Sequence, residues 1–249
     1  TKRRRPREIA TTWPIATRSF KVKTDDFAAP PSTSGSFEDF WNGLPKILAA
    51  ESLRKVAAAI HAAKRKGRPV VLAFGAHVLK TGLGPVLVDL VERGFVTALA
   101  TNGASGIHDF EVAFHGKTSE DVGAVLETGE FGMSRETGEG IFRALCAGRK
   151  KGVGYGRALG DAILRGRFPY RDLSLFAAAA KADVPLTVHV ALGTDTLVQH
   201  PGMDGSLVGE MSIRDFTTIR RVIAGLGGGG VWINAGSAVI MPEVFLKAL

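Results

Sequence analysis

The stretch VTALATNGASGIHDFE, residues 96–111, decides the fold. It opens on a short run of apolar and small residues (96–100), of the kind that makes a strand buried on both faces. It then passes through Thr101, Asn102 and Gly103 into a segment at 107–115 with the apolar spacing of a helix. A strand, a glycine-bearing turn and a helix in that order form half of a βαβ unit.

The same grammar recurs along the chain. PVVLAF at 69–74, PLTVHV at 185–190 and VWINA at 231–235 are three more apolar runs of strand length. Between the runs lie helical patterns at 84–93, 119–127, 136–147, 156–164, 172–181 and 212–226. Strands apolar throughout, alternating with helices, predict an α/β fold: a Rossmann-like, doubly wound parallel sheet with helices on both faces. Ahead of it, residues 1–35 are basic, then proline-bearing, and read as an arm lying on its own domain or on a neighbouring subunit. Ser36 with Glu38 and Asp39 caps a short helix carrying Phe37, Phe40 and Trp41, and a helix at 51–66 stops at Gly67. The expected organisation is an arm with short helices over 1–50 and one sheet domain over 51–249.

Composition narrows the class. Apolar residues are 45% of the chain and charged residues 22%, a balance that builds a sizeable core. No apolar run approaches a membrane span and no leader pattern opens the sequence, so a membrane partner is excluded from the expectation. Cys146, the one cysteine, leaves no internal disulfide; it shares an apolar stripe with Phe142 and Leu145, which predicts a core position and a reducing, cytoplasmic setting. The net charge of +8 raises nucleic-acid binding, with Lys2, Arg3, Arg4, Arg5 and Arg7 concentrated at the start. Interleaved aromatics and any finger, helix-turn-helix or RNP signature are missing, so solvated surface charge is the preferred account.

The residues immediately after each strand point to function. The first strand runs into Gly75, His77, Thr81 and Gly82, the second into Thr101, Asn102 and Gly103, the third into Gly193, Thr194 and Asp195, and the fourth into Gly236 and Ser237. In an open α/β sheet these carboxyl ends share one edge, and ligands bind in the crevice outside it. Glycine lets main chain approach a phosphate or ribose, and the next helix offers free N–H groups and a positive dipole end. Four such loops predict a nucleotide-sized ligand. The usual G-x-G-x-x-G is replaced after the first strand by GAHVLKTGLG, so an ordinary dehydrogenase arrangement is not expected.

Residues 75–111 resemble the superfamily containing deoxyhypusine synthase, and are similar to the NAD-binding domain of the archaeal ornithine cyclodeaminases, the LOR/SDH-like proteins. Asp204-Gly205-Ser206 and the stretch to Glu210 are similar to a TDGSIGD segment of the synthases, and Asn234-Ala235-Gly236-Ser237 stands where they carry a triple glycine. The resemblance implies NAD as cofactor, held by Gly75, Thr81, Thr101, Asn102, Gly103, Asp109, Thr194, Asp195 and Gly236, and a homo-oligomer, dimer or tetramer. It does not extend to the synthase's activity. The imine-forming lysine of that family lies in a WGK segment beyond the triple glycine, and here Val239-Ile240-Met241-Pro242 stands instead. A divergent member, truncated relative to that family at its C-terminus, is the expectation.

Candidate chemistry comes from position. His108, Asp109 and Glu111 open the helix behind the second strand: His108 is suited to move a proton, and Asp109 and Glu111 to cap a helix or hold a ribose. Lys80 is a phosphate partner or a plain surface lysine, and His189, inside a strand, reads as core. His200, Asp204 and Glu210 match no metal-ligand spacing, so no metal is expected; Asp204 and Glu210 fit better as anchors for a cationic amine. The expected function is NAD-dependent chemistry at a C–N centre of an amine or amino-acid substrate, catalysed by His108, Asp204 and Glu210. The alternative is a non-catalytic binding or assembly module that has lost the imine-forming lysine.

Overall fold

The structure, a computed structural model, describes residues 12–249, so the basic cluster at 2–7 lies outside the described residues. In chain order the elements are α1 (Phe37–Gly43), α2 (Leu48–Arg65), β1 (Val70–Phe74), α3 (His77–Lys80), α4 (Gly84–Glu92), β2 (Ala98–Asn102) and α5 (Gly103–His115). Then come α6 (Val122–Val125), α7 (Arg135–Lys151), α8 (Tyr155–Arg165), α9 (Leu175–Lys181), β3 (Leu186–His189), α10 (Gly205–Ala224), β4 (Val231–Ala235) and α11 (Ile240–Ala248). Two compact units result, Thr1–Ala58 and Ala59–Leu249. No helix of the described residues is long and apolar enough to cross a membrane.

In the first unit Ser36 and Asp39 form the capping box of α1, and the Arg54 guanidinium gathers the carbonyls of Trp41, Leu44 and Pro45, each at 2.8 Å. The carbonyls left over at the end of α1 thereby find a donor.

The second unit is a four-stranded parallel sheet in the order β3-β2-β1-β4. Phe74 is level with Thr101 and with Ala235, and Thr101 with Val188, so the carboxyl ends finish flush. Alternate residues of the central strands face opposite layers, as the pleat requires. Leu72, Phe74 and Leu99 enter the larger core, with Phe110, Ile141, Leu145, Leu159 and Phe176 from the helices. Val71, Ala73, Ala98 and Ala100 enter the smaller one, under Ile219 and Ile223 of α10 and Met241 of α11. Helices therefore cover both faces, and the α/β, doubly wound architecture is as the sequence predicts.

α10 does more than pack. β3 is an outer strand, and its free margin is met by α10 side chains where a fifth strand would lie. Asp215 Oδ2 accepts from the Val188 N–H at 2.7 Å and from the Gly156 N–H of α8 at 2.9 Å. The Ser212 hydroxyl accepts from the Val190 N–H and donates to the Val188 carbonyl, both at 3.1 Å. Buried main-chain groups are thus paired without another strand.

Several expectations shift. The α5 helix starts at Gly103, not near 107, because Asn102 caps it directly. The helix expected at 119–127 shrinks to α6, and α10 begins at Gly205 rather than 212, capped by Asp204. Cys146 is exposed, on the outer side of α7. Trp232 is only half-buried on the marginal strand β4, its ring tilted against that of Phe245 with ring centres 4.6 Å apart.

Burial pushes the Asp215 carboxyl up from 3.8 to about 7, against the pull of the N–H groups of Gly156, Val188 and Tyr155. A raised folded-state pKa means that the native chain holds this proton more tightly than the unfolded chain. Stability relative to Asp215→Asn should therefore fall as pH rises from about 4 to about 7. Asp215→Ala, which strands the two N–H groups, should cost about 3 kcal/mol. Urea melts across that pH range check both.

Candidate functional site

The four carboxyl-end loops lie along one edge because their strands are parallel and end level. Gly75 donates its N–H to the Ala235 carbonyl at 3.0 Å. A Cβ on Gly75 would lie 2.1 Å from the Gly236 oxygen, so only glycine lets the β1 and β4 loops meet main chain to main chain. At the next position along the rim, β2 passes into α5 without a connecting loop. Asn102 Oδ1 accepts from the Ser105 N–H at 3.3 Å, while the Asp195 carboxylate from the β3 loop lies against the first residue of the helix. Asp195 rests on Gly103, where a Cβ would come 2.0 Å from its Oδ2. Burial raises the Asp195 carboxyl to about 6, with the Ala104 N–H pulling the other way.

A cavity of about 220 Å³ opens beside this helix end, lined among others by Lys80, His108, Glu111, Thr194, Asp195 and His200. In its wall a chain of hydrogen bonds begins and ends, at His108 and Glu111. The Thr118 hydroxyl donates to Glu111 Oε2 at 2.5 Å and lies 2.7 Å from His108 Nδ1. Thr118 has a single hydroxyl proton, and the ionised Glu111 has none to give, so His108 must donate from Nδ1. In the neutral ring Nε2 is then the basic nitrogen. Burial acts to raise the Glu111 carboxyl, but bonds from His108 and Thr118 and the nearby histidine charges outweigh it and hold the group below its ordinary value. Thr118 and Thr137, the second hydroxyl near Glu111, come from other segments, and no spacing in the sequence marks them. His200 donates from Nε2 to the Gly132 carbonyl at 2.9 Å, and its ring packs on Gly138 of α7.

The structure thus brings together His108, Glu111, Thr194 and Asp195 from the residues singled out by sequence, with Lys80 and His200 beside them. Gly75, Asn102, Gly103 and Gly236 lie along the same edge. Others it directs elsewhere. Asp109 is buried, and its carboxylate accepts from the N–H groups of Leu175 (2.8 Å) and Phe176 (3.4 Å) and from the Ser174 hydroxyl. It caps α9, which leaves nothing for a ribose; burial pushes it to about 6. The Thr101 hydroxyl is spent inside the sheet on the Phe74 carbonyl (2.8 Å) and Ser105. That of Thr81 goes back to His77, which is itself exposed, as is Gly82. Thr194 turns its hydroxyl to the Ala191 carbonyl, and Gly193 has a φ of +92° at an exposed turn. The Ser237 hydroxyl caps α11 through the Met241 N–H.

The two amine anchors are likewise committed. Asp204 Oδ1 caps α10 through the N–H groups of Ser206 and Leu207. Glu210 is clasped between Arg149 (2.8 Å) and Arg214 (2.5 Å). His189 is buried and edge-on to Phe216, and desolvation lowers it to about 4, a core histidine as its alternation in the strand predicts.

Fold and rim together define a Rossmann-type α/β domain. Residues 54–141 match the family described as arginine dihydrolase ArgZ-like, C-terminal, Rossmann fold. The ornithine cyclodeaminase of Methanothermobacter thermautotrophicus is 29% identical over 79 residues, 32% of this chain and 18% of that enzyme. Apo ArgZ, an arginine dihydrolase from the ornithine–ammonia cycle in cyanobacteria, is similar with a TM-score of 0.52 and 17% identity over 78% of this chain and 26% of ArgZ. The ternary complex of AgrE with ornithine and NAD+ gives a TM-score of 0.51 and 16% identity over 80% of this chain and 26% of AgrE. Deoxyhypusine synthase-like and LOR/SDH-like structures also match, with TM-scores of 0.48 and 0.41. The chain is a divergent relative, and it spans 18% of the cyclodeaminase and 26% of ArgZ and AgrE.

If Asp109 serves α9 and not a ligand, Asp109→Ala should lower stability by about 2–4 kcal/mol through the stranded N–H groups. Dinucleotide affinity of the folded fraction should stay within about twofold, because sites with no shared partners behave additively. Chemical denaturation and NADH titration of the same variant separate the two effects.

Proposed function

We propose that the carboxyl edge of the sheet binds NAD and that an amino acid or amine is oxidised at a C–N centre in the cavity beside α5. The observation that carries this reading is the His108–Thr118–Glu111 chain, whose His108 and Glu111 line a cavity on the same edge as four glycine-bearing loops. The relatives support the substrate class: AgrE is solved with ornithine and NAD+, and the matched curated relative is an ornithine cyclodeaminase.

The rim fits a dinucleotide at two places. Gly236 leaves bare main chain at the exposed loop after β4, and α5 presents its N-terminal N–H groups beside Gly103. NAD, when bound, supplies the hydride acceptor for oxidation at the C–N centre. The protein's part is proton transfer and orientation. His108 Nε2 accepts the proton released from the substrate, while Thr118 and Glu111 fix the ring's tautomer and offset the charge it gains. Lys80 is placed to hold an amino-acid carboxylate, and Asp195, Glu111 and His200 are among the other polar residues lining the cavity. Asp204 and Glu210 drop out of the amine-binding role because neither lines the cavity beside α5: Asp204 caps α10, and Glu210 is held by Arg149 and Arg214.

The reading predicts that NADH binds, with a rise in its fluorescence, and that NAD is consumed or cycled on incubation with ornithine or spermidine. His108→Gln should keep NADH affinity within about twofold and lower turnover by about 100-fold or more, the usual contribution of a positioned base. NADH binding with no turnover of any amine would leave the module without catalysis as the better account. A saturating titration with no binding would remove both.

A further inference from the structure

The first turn of α5 is bare on one side, because Gly103 and Gly106 stand three residues apart on neighbouring positions of the helix surface. Each glycine is covered by side chains from elsewhere, with a polar group among the nearest atoms. Asp195 Oδ2 lies over Gly103, and the Tyr155 hydroxyl of α8 lies over Gly106, 3.5 Å from where a Cβ would be. Tyr155 is 1% exposed, and among the described residues its hydroxyl has no hydrogen-bond partner. Gly103, Tyr155 and Asp195 also line one small enclosed cavity of about 10 Å³. A buried donor without an acceptor costs free energy, and such a group in a native fold calls for a reason. Burial and the charges of Asp195 and Asp215 keep the tyrosine protonated, hence a donor.

A second tension lies at the helix end itself. The N-terminus of α5 is where an oxyanion of a ligand would bind, yet the Asp195 carboxylate already sits at that end, its Oδ2 over Gly103. Two anions crowded onto one helix end repel each other, so one must give way.

We propose that Asp195 is a displaceable carboxylate with two stations, the N-terminus of α5 in the free protein and the Tyr155 hydroxyl once a ligand oxyanion takes the helix end. The oxyanion is the diphosphate of the dinucleotide, so this inference rests on the proposed binding of NAD at the rim. In the second station the tyrosine gains an acceptor, the carboxylate keeps a donor, and the helix end faces the ligand. Ligands without a strong oxyanion fail to move Asp195, which makes the carboxylate a selectivity filter as well as a plug.

The test is a titration of inorganic pyrophosphate, NADH and ornithine into the wild type, Asp195→Ala, Asp195→Asn, Tyr155→Phe and the Asp195→Ala/Tyr155→Phe double variant, with melting temperatures recorded alongside. Removing the competing carboxylate should tighten pyrophosphate and NADH by about tenfold, with Asp195→Asn carrying the test where alanine impairs folding. Tyr155→Phe should weaken both ligands by about fivefold in the wild-type background and have no effect without Asp195, since its part is played through that residue. Unchanged or weaker binding of pyrophosphate and NADH in both Asp195 variants would overturn the proposal, as would a Tyr155→Phe effect equal in the two backgrounds. Tightening confined to ornithine would assign the helix end to a substrate carboxylate and overturn the diphosphate assignment. Tightening of pyrophosphate while NADH binds none of the proteins would keep the displaceable carboxylate and overturn the NAD reading instead.

Discussion

The sheet's geometry rests on one buried carboxylate. Asp215 reaches from α10 to the Val188 N–H of the outer strand and to the Gly156 N–H at the start of α8, so one side chain fixes a helix, a strand and a second helix together. Ser212, a turn earlier, serves the next main-chain groups of the same margin. α10 supplies Leu207 and Met211 to one core and Ile219 and Ile223 to the other, which wraps it around the β3 side of the sheet. With β3 held in this way, its carboxyl end stays level with that of β2, and the loop bearing Thr194 and Asp195 falls beside α5. The site is a consequence of that alignment.

Much of this was legible in the order of residues. Apolar runs of strand length separated by helical patterns are enough for a parallel sheet covered on both faces, because few other arrangements bury a strand on both sides. The glycine-bearing loops announced the shared edge for the same reason. His108 and Glu111 could be picked out because they stand three apart at the start of a helix leaving that edge. Asp109 misled: one residue on, it is turned about 100° around the helix, enough to aim it at α9 instead of the cavity. Sequence gives the phase of such residues relative to each other, but which phase faces the crevice depends on packing. Glu210 failed for a related reason. Its partners include Arg149, from a helix packed against α10, and no local pattern reveals that a distant arginine has claimed a carboxylate.

The groups that sequence could not supply share a property. Thr118, Thr137 and Tyr155 carry no motif and are common residue types, and each acquires meaning only through the neighbour that the fold gives it. Thr118 matters because one hydroxyl between a carboxylate and an imidazole determines which ring nitrogen bears the proton. Tyr155 matters because its hydroxyl is sealed in beside a carboxylate that it does not touch. Both are relations between segments, not attributes of one.

The direct passage of β2 into α5 has a further consequence. Asn102 closes the strand and Gly103 opens the helix, so the joint has no slack, and the helix inherits its bearing from the sheet. Adjustment to an incoming molecule must then come from the long connection between β3 and α10, while α5 acts as a fixed jig. A single extra residue at the joint would swing His108 about 100° around its axis. The spacing of this junction is therefore as much a part of the chemistry as the imidazole it carries.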